Sequence, residues 1–395
     1  MKYDETYKKL ELYADEICSN FKQREKVFLF GAGVLGRECC VTLKEYGCFA
    51  GFIDNNKKNV KYGCGEDSVI SFEEYLENNE HGLIVVTASQ KNTPVIIRQL
   101  IKAGLREQKD FYGYKDFKDY VFPIVSYYLY GRNFMSLAQI SLTERCTLKC
   151  QKCAHGCFNV KNDAIDMSLE EAKKSVDTFF LYIDYIQEFV LIGGEPLLYK
   201  NLGEIIEYIG ERYRKKIGIF SITSNGTIMP DNNIIKMCKK YNVLYRISNY
   251  SKQVTYLEQR YKELTELLMR EKILYVLGNP EDTWMDYGFD YLDRDAEEEE
   301  LISVFDDCKT PCREIRGNKL YYCVMARSIS ENLGYNIGEN DYLDLGQLDS
   351  INGRKKILEF NLGYSEKGYL DMCNHCYGKE AYLHPVPAAI QVKRE

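Results

Sequence analysis

Cys146, Cys150 and Cys153 stand in the spacing C-x3-C-x2-C inside the run Ile140–Cys157, directly after a strand-like stretch. Three thiolates in one tight loop can hold three irons of a [4Fe–4S] cube, because thiolates are the usual ligands of such clusters. The fourth iron then needs a ligand from elsewhere. Cys157 follows closely enough to supply one, which would make the loop a plain electron-transfer cluster of the ferredoxin kind. A zinc site is the third chemistry open to these residues.

Other residue types along the chain also point to chemistry. Gly193-Gly194-Glu195-Pro196 ends the strand-like run Glu188–Ile192. Glycines at a strand end permit close backbone approach, and a carboxylate there can pair with an ammonium group. The plainer reading is a turn with Pro196 opening a helix. Ser224 and Asn225 end a later strand in S-N-G, also a common turn. A second cysteine set comprises Cys308, Cys312, Cys323, Cys373 and Cys376. Thiolates gathered from distant segments suit zinc or an iron–sulfur cluster equally, and five cysteines compete for four places. His375, inside C-x2-C, reads as a bystander. Near the start, Gly31-Ala32-Gly33-Val34-Leu35-Gly36 joins a strand to a helix. Such glycines let the backbone approach a pyrophosphate, and the helix N-terminus favours its charge. Asp54, ending the next strand, is placed to accept from ribose hydroxyls.

The elements that must position these residues alternate. Tyr3–Lys22 reads as a leading helix, then strand Lys26–Phe30, a helix over 37–46, strands Phe49–Ile53 and Leu83–Thr87, and helix Val95–Ala103. Tyr112–Asn133 is dense in Tyr and Phe without a clean period and reads as a packed connector. After the cysteine loop come helix Met167–Tyr185, with Ser168 and Glu171 as a capping box, then strand Glu188–Ile192 and helix Leu202–Tyr213. Strand Ile217–Thr223, helix Ile234–Tyr241 and strand Val243–Ile247 complete the series. Repeated β-α-β order implies α/β architecture with parallel sheets and helices on their faces.

On Cys146, Cys150 and Cys153 together with Gly193–Pro196, the chain resembles the radical S-adenosylmethionine (radical SAM) superfamily. The resemblance implies a central partial (β/α)6 barrel with ligands at the carboxyl ends of its strands. It implies that S-adenosylmethionine caps the fourth iron and is cleaved to a 5′-deoxyadenosyl radical. It gives Gly193, Gly194, Glu195 and Pro196 to the cofactor's amino group, and Ser224 and Asn225 to its ribose. Lys152 departs from the family, which usually has an aromatic residue or histidine before the third cysteine. An electron donor such as flavodoxin or ferredoxin is a further implied partner. The C-terminal cysteines resemble the twitch domain, the short form of the SPASM domain, and imply one auxiliary [4Fe–4S] cluster, two clusters in all. The Gly31, Gly33, Gly36 and Asp54 region resembles a Rossmann-type domain, for binding a nucleotide or for docking. Arg246–Tyr250, Trp284–Gly288 and Gly317–Cys323 look like radical SAM proteins of carbohydrate and surface-polysaccharide biosynthesis.

The 395 residues are 45% hydrophobic and 28% charged, enough for two or three domains with real cores. We expect a Rossmann-like domain over 1–130, a radical SAM core over 131–300 and a twitch-like domain over 301–395. A net charge of −7 gives no electrostatic footprint for nucleic acid or anionic membrane. The acidic run 293–300 reads as a solvated helix start or loop. No apolar stretch has transmembrane length and no signal-peptide core opens the chain, so a cytoplasmic location is expected. The 15 cysteines are then metal ligands or buried thiols, not a disulfide framework. The resulting expectation is hydrogen abstraction from a carbinol carbon of a sugar or sugar nucleotide, as oxidation or epimerisation. A spare cysteine (Cys308, Cys312 or Cys157) could return a hydrogen atom. The rivals are a maturase of ribosomal peptides and a ferredoxin-like electron carrier.

Overall fold

The computed structural model describes residues 1, 3–24, 26–56, 58–59, 67–78, 82–308, 310–349 and 352–392, without the side chains of 3–9. These form two compact units, Tyr7–Ser136 and Met1–Thr6 with Leu137–Glu395. Residues 301–395 therefore share a unit with the central strands.

In the first unit, strands β1 (Val27–Phe30), β2 (Phe49–Ile53), β3 (Val69–Ile70), β4 (Leu83–Val86) and β5 (Phe111–Gly113) form one sheet ordered β3-β2-β1-β4-β5. All its pairings are parallel. β1 and β4 are buried throughout, as a parallel sheet covered on both faces requires. Phe28, Phe30, Ile84, Val86 and Phe111 pack with Phe72, Tyr75, Ile96 and Leu100 from the flanking helices. The strand order reverses direction between β1 and β4, and the glycine loop 31–36 follows β1 at that reversal.

In the second unit, β6 (Phe134–Thr143), β7 (Tyr185–Gly193), β8 (Ile217–Ser224), β9 (Val243–Ile247) and β10 (Tyr275–Leu277) lie side by side in chain order. β7 through β10 run parallel. Helices Leu169–Tyr182, Leu202–Arg212, Asn232–Tyr241 and Leu257–Arg270 connect or flank them. The helix over 169–182 buries Ala172, Ser175, Val176, Phe179 and Phe180, one stripe at helical spacing. Phe179 and Phe180 meet Phe189 of β7 at ring distances of 5.8 and 5.5 Å. This is the α/β arrangement of a partial barrel. On the other edge, β12 (Arg313–Arg316) runs parallel to β6, and β13 (Lys319–Tyr321) and β14 (Tyr342–Asp344) continue antiparallel. A short antiparallel pair joins β11 (Thr283–Met285) to β15 (Pro385–Pro387). Among the described residues, no helix is long and apolar enough to cross a membrane.

Candidate iron–sulfur site

The loop after β6 carries Cys146, Cys150 and Cys153, and the ends of β7 and β8 close around it. Gly194 N–H donates to the Thr143 carbonyl at 2.8 Å, and Glu195 N–H to the Arg145 carbonyl at 2.9 Å. A Cβ on Gly193 would come within 2.2 Å of the Thr143 oxygen, and one on Gly194 within 2.1 Å of the Arg145 oxygen. Gly193 also has φ +139°, which L-residues rarely adopt. The paired glycines are thus required by the close approach of the cysteine loop. Arg145 adds a second tie. It forms a bidentate pair with Asp166 and donates to the Leu198 carbonyl at 3.0 Å.

Glu195, read from sequence as a partner for an ammonium group, is held by donors of the protein itself. It is fully buried. Its carboxylate accepts from Leu197 N–H at 3.1 Å, Ser224 Oγ at 2.9 Å and Asn225 N–H at 2.8 Å. Burial pushes its pKa up to about 7 despite those three donors. In this fold Glu195 clamps the end of β7 to the end of β8. Ser224 and Asn225 are buried too, and Asn225 Nδ2 lies 3.5 Å from Cys146 Sγ and 3.0 Å from Thr147 Oγ1. The three strand ends are therefore one bonded assembly.

Cys150 is buried, whereas Cys146 and Cys153 are partly accessible. The charges of the three act on one another. Cys157 is buried, and its Sγ donates to the His155 carbonyl at 3.8 Å. Mutual interaction of the two thiols holds Cys153 below its usual range and pushes Cys157 up. Lys152 has φ +56° and reaches Asp290 at 2.6 Å and Asp286 at 3.2 Å. It fastens the loop to Asp286, within the Trp284–Gly288 stretch, and to Asp290 just after it. Trp284 meets Tyr250 edge-on at 5.6 Å, and burial, with the charges of Cys150 and Cys153 nearby, pushes the Tyr250 hydroxyl up. Arg246 pairs with Glu188 at 2.7 Å across the sheet.

A buried charge network supports the loop from the β12 side. Arg327 is completely buried and pairs with Glu314, also completely buried, and with Glu144 at 2.7 Å. Asn332 donates to Glu144 at 3.0 Å and to the His155 carbonyl at 2.6 Å. Burial alone would raise the Glu144 carboxyl, but Arg327 and His155 outweigh it and hold it below its usual range. None of these partners was singled out from sequence. Glu314, Arg327 and Asn332 lie more than a hundred residues from the loop, and no local pattern marks them.

Helix Val324–Leu333, which carries Arg327, starts immediately after Cys323. Cys308 ends helix Glu298–Cys308, and Cys373 and Cys376 lie on and just after the turn Asp371–His375. The charge of Cys308 acts on Cys323, Cys373 and Cys376. Burial raises the Cys376 thiol to about 12. Asp341 is buried and accepts from Asp371 and Met372 N–H at 2.5 and 3.0 Å, which fixes the turn bearing Cys373. His375 stacks on Tyr335 at 4.2 Å, and its Nδ1 is 3.0 Å from the Leu292 carbonyl. Cys312 sits next to Arg313, at the head of β12, partly accessible. Among the described residues, no three His, Cys, Asp or Glu side chains converge on one metal-ion position.

In the first unit, Gly31 has φ +122°, and a Cβ on Gly36 would lie 2.1 Å from the Gly31 oxygen. Gly33 faces open space. Asp54 Oδ2 accepts from Ala32 N–H at 2.9 Å and Asn59 Nδ2 at 3.0 Å, and Oδ1 from Asn56 N–H at 2.7 Å. This carboxylate, the one expected at ribose hydroxyls, fastens the glycine loop through Ala32 N–H.

A three-cysteine loop thus stands at parallel strand ends, closed on a Gly-Gly turn. Residues 140–251 match the Radical SAM superfamily model, and radical SAM proteins use a [4Fe–4S] cluster and S-adenosylmethionine. GTP 3′,8-cyclase of Synechocystis sp. is 30% identical over 115 residues, 27% of this chain and 33% of that protein. GTP 3′,8-cyclase of Clostridium perfringens is 32% identical over 148 residues, 37% of this chain and 42% of that one. The antilisterial bacteriocin subtilosin biosynthesis protein AlbA of Bacillus subtilis is 30% identical over 105 residues, 26% and 21% of the two chains. The chain thus spans between a fifth and two fifths of these relatives. Among solved structures, BtrN in complex with AdoMet and 2-DOIA aligns with a TM-score of 0.39 at 12% identity, over 65% of this chain and 92% of that one.

Proposed function

We propose that this chain is a radical SAM enzyme whose cleaving cluster is held by Cys146, Cys150 and Cys153. The observation that supports it best is the bonded assembly of the cysteine loop with Gly193–Glu195 and Ser224–Asn225. When bound, the cluster and S-adenosylmethionine supply reductive cleavage of a sulfonium bond and a radical that removes a hydrogen atom from substrate. The protein's own residues orient and shield. Gly193 and Gly194 present backbone to the cofactor's amino group, while Glu195 clamps them from behind. Asn225 steadies Cys146 and stands by the ribose. Cys308, Cys323, Cys373 and Cys376 would hold one auxiliary [4Fe–4S] cluster.

For the substrate, maturation of a ribosomal peptide now stands ahead of the sugar reading. A bacteriocin biosynthesis protein is among the relatives of the core, beside GTP cyclases. The sugar-nucleotide reading keeps one specific support, the five-stranded parallel sheet of the first unit with its glycine loop at the strand-order reversal. Anaerobically reconstituted protein would be given S-adenosylmethionine, dithionite and, separately, candidate precursor peptides, GTP and sugar nucleotides. A peptide that raises 5′-deoxyadenosine above the uncoupled background and changes in mass supports the leading reading. Stimulation by sugar nucleotides alone restores the other, and no 5′-deoxyadenosine under any condition removes both.

A further inference from the structure

Residues Ala388–Val392 form one edge of the cysteine loop. Gln151 N–H donates to the Ile390 carbonyl and Val392 N–H to the Lys149 carbonyl, each at 2.7 Å. Cys150 and Gln391 are bridged as antiparallel neighbours. The Gln391 side chain adds two bonds to the same loop. Its Oε1 accepts from Lys149 N–H at 2.9 Å, and its Nε2 lies 3.1 Å from Cys150 Sγ and 2.8 Å from the Ala389 carbonyl. The amide orientation follows from these partners. Lys149 N–H needs an acceptor and the Ala389 carbonyl needs a donor, so the oxygen faces the first and the two hydrogens face the carbonyl and the sulfur. Cys150 is buried, so water competes poorly for that sulfur.

We propose that Gln391 is a positioning residue for the cleaving cluster, and that its N–H···S bond to Cys150 raises the cluster's reduction potential. This rests on the assignment of Cys150 as a ligand made above. Reduction takes [4Fe–4S]2+ to [4Fe–4S]+ with one electron from an external donor and no proton. The added electron increases charge on the ligand sulfurs, so a donor at sulfur stabilises the reduced form more than the oxidised one. Hydrogen bonds to sulfur are among the terms that set such potentials. Removing the bond makes the cluster harder to reduce without removing a ligand.

The test uses full-length, anaerobically reconstituted protein titrated potentiometrically with dithionite. The readout is the electron paramagnetic resonance signal that changes when S-adenosylmethionine is added, which separates the cleaving cluster from the auxiliary one. Gln391→Leu should shift that midpoint to more negative potential with iron content unchanged. Gln391→Glu, which places negative charge at the sulfur, should shift it further. Gln259→Leu, on an exposed helix face, should match wild type. An unchanged midpoint in Gln391→Leu overturns the proposal. If that variant loses iron, Gln391→Glu decides: a midpoint at or above wild type overturns it, as does loss of iron from both. Wild-type protein with no signal responsive to S-adenosylmethionine fails the assignment of Cys150 itself, a result distinct from the others.

Discussion

The two cysteine sets are built in opposite ways. Cys146, Cys150 and Cys153 come from one loop, and the fold surrounds that loop with ties from β7, β8, Lys152, Arg327 and Gln391. Cys308, Cys323, Cys373 and Cys376, the set proposed for an auxiliary cluster, come from a helix end, a helix start and a turn. The first set is written in sequence and needs the fold to hold it still. The second is scattered in sequence, so any shared site depends on the tertiary fold. The helix Val324–Leu333 joins them, with Cys323 at its start and Arg327 packed on Glu144 next to the first loop.

The largest expected effect separates the two sets outright. Cys373→Ala should lower iron from about eight to about four per chain while uncoupled cleavage of S-adenosylmethionine survives. Iron analysis and 5′-deoxyadenosine assay check this, and loss of both clusters would show that the sets are not independent. Next is the link between them. Arg327→Met leaves Glu314 and Glu144 without their shared cation and should cost about 3–5 kcal/mol of stability, read by denaturant unfolding. A cost under about 1 kcal/mol would mean that the network is peripheral.

The glycine loops give a smaller contrast. Gly194→Ala forces a Cβ against the Arg145 carbonyl and should cost about 1–3 kcal/mol. Gly33→Ala meets nothing within 4 Å and should be close to neutral. Equal costs would contradict the close-approach account.

The smallest effect concerns pH. Burial raises the Asp341 carboxyl from its ordinary 3.8 to about 7. A raised folded pKa means that the folded state holds the proton more tightly. That contribution is full below 3.8 and is lost as pH rises to about 7. Asp341→Asn should therefore flatten, in part, the decline of stability over that interval. Glu195 and Glu314, both raised to about 7 by burial, keep the rest of the slope. An unchanged slope would remove Asp341 from the account.

Local order in the chain was legible where periodicity and punctuation agree. Val34–Glu45, Phe49–Ile53, Leu202–Arg212 and Asn232–Tyr241 fall within a few residues of their sequence readings. The short strands Val69–Ile70 and Phe111–Gly113 were not read, because two or three residues carry no period. The aromatic stretch 112–133 contains helix Phe122–Tyr130, whose residues are buried on several sides and so lack an amphipathic stripe. Ser168 caps its helix through Glu171 N–H at 3.1 Å, while the reciprocal capping box occurs at Ser71 and Glu74 instead. Within the candidate site, the cysteines and glycines were legible because their chemistry is local. Gln391, Arg327 and Asp166 were not, because their roles exist only through partners distant in sequence. Glu195 was found, but its donors within the protein were not. Its type showed in the sequence, and its burial among donors from β8 did not.

The most direct test of the central claim compares Cys150→Ala with Cys157→Ala in anaerobic cleavage of S-adenosylmethionine to 5′-deoxyadenosine. The account predicts that Cys150→Ala abolishes cleavage, because a ligand of the cleaving cluster is gone. It predicts that Cys157→Ala retains most of it, because the fourth iron is left to the cofactor. Loss of cleavage in Cys157→Ala with folding intact would make the loop a four-cysteine cluster and contradict the account.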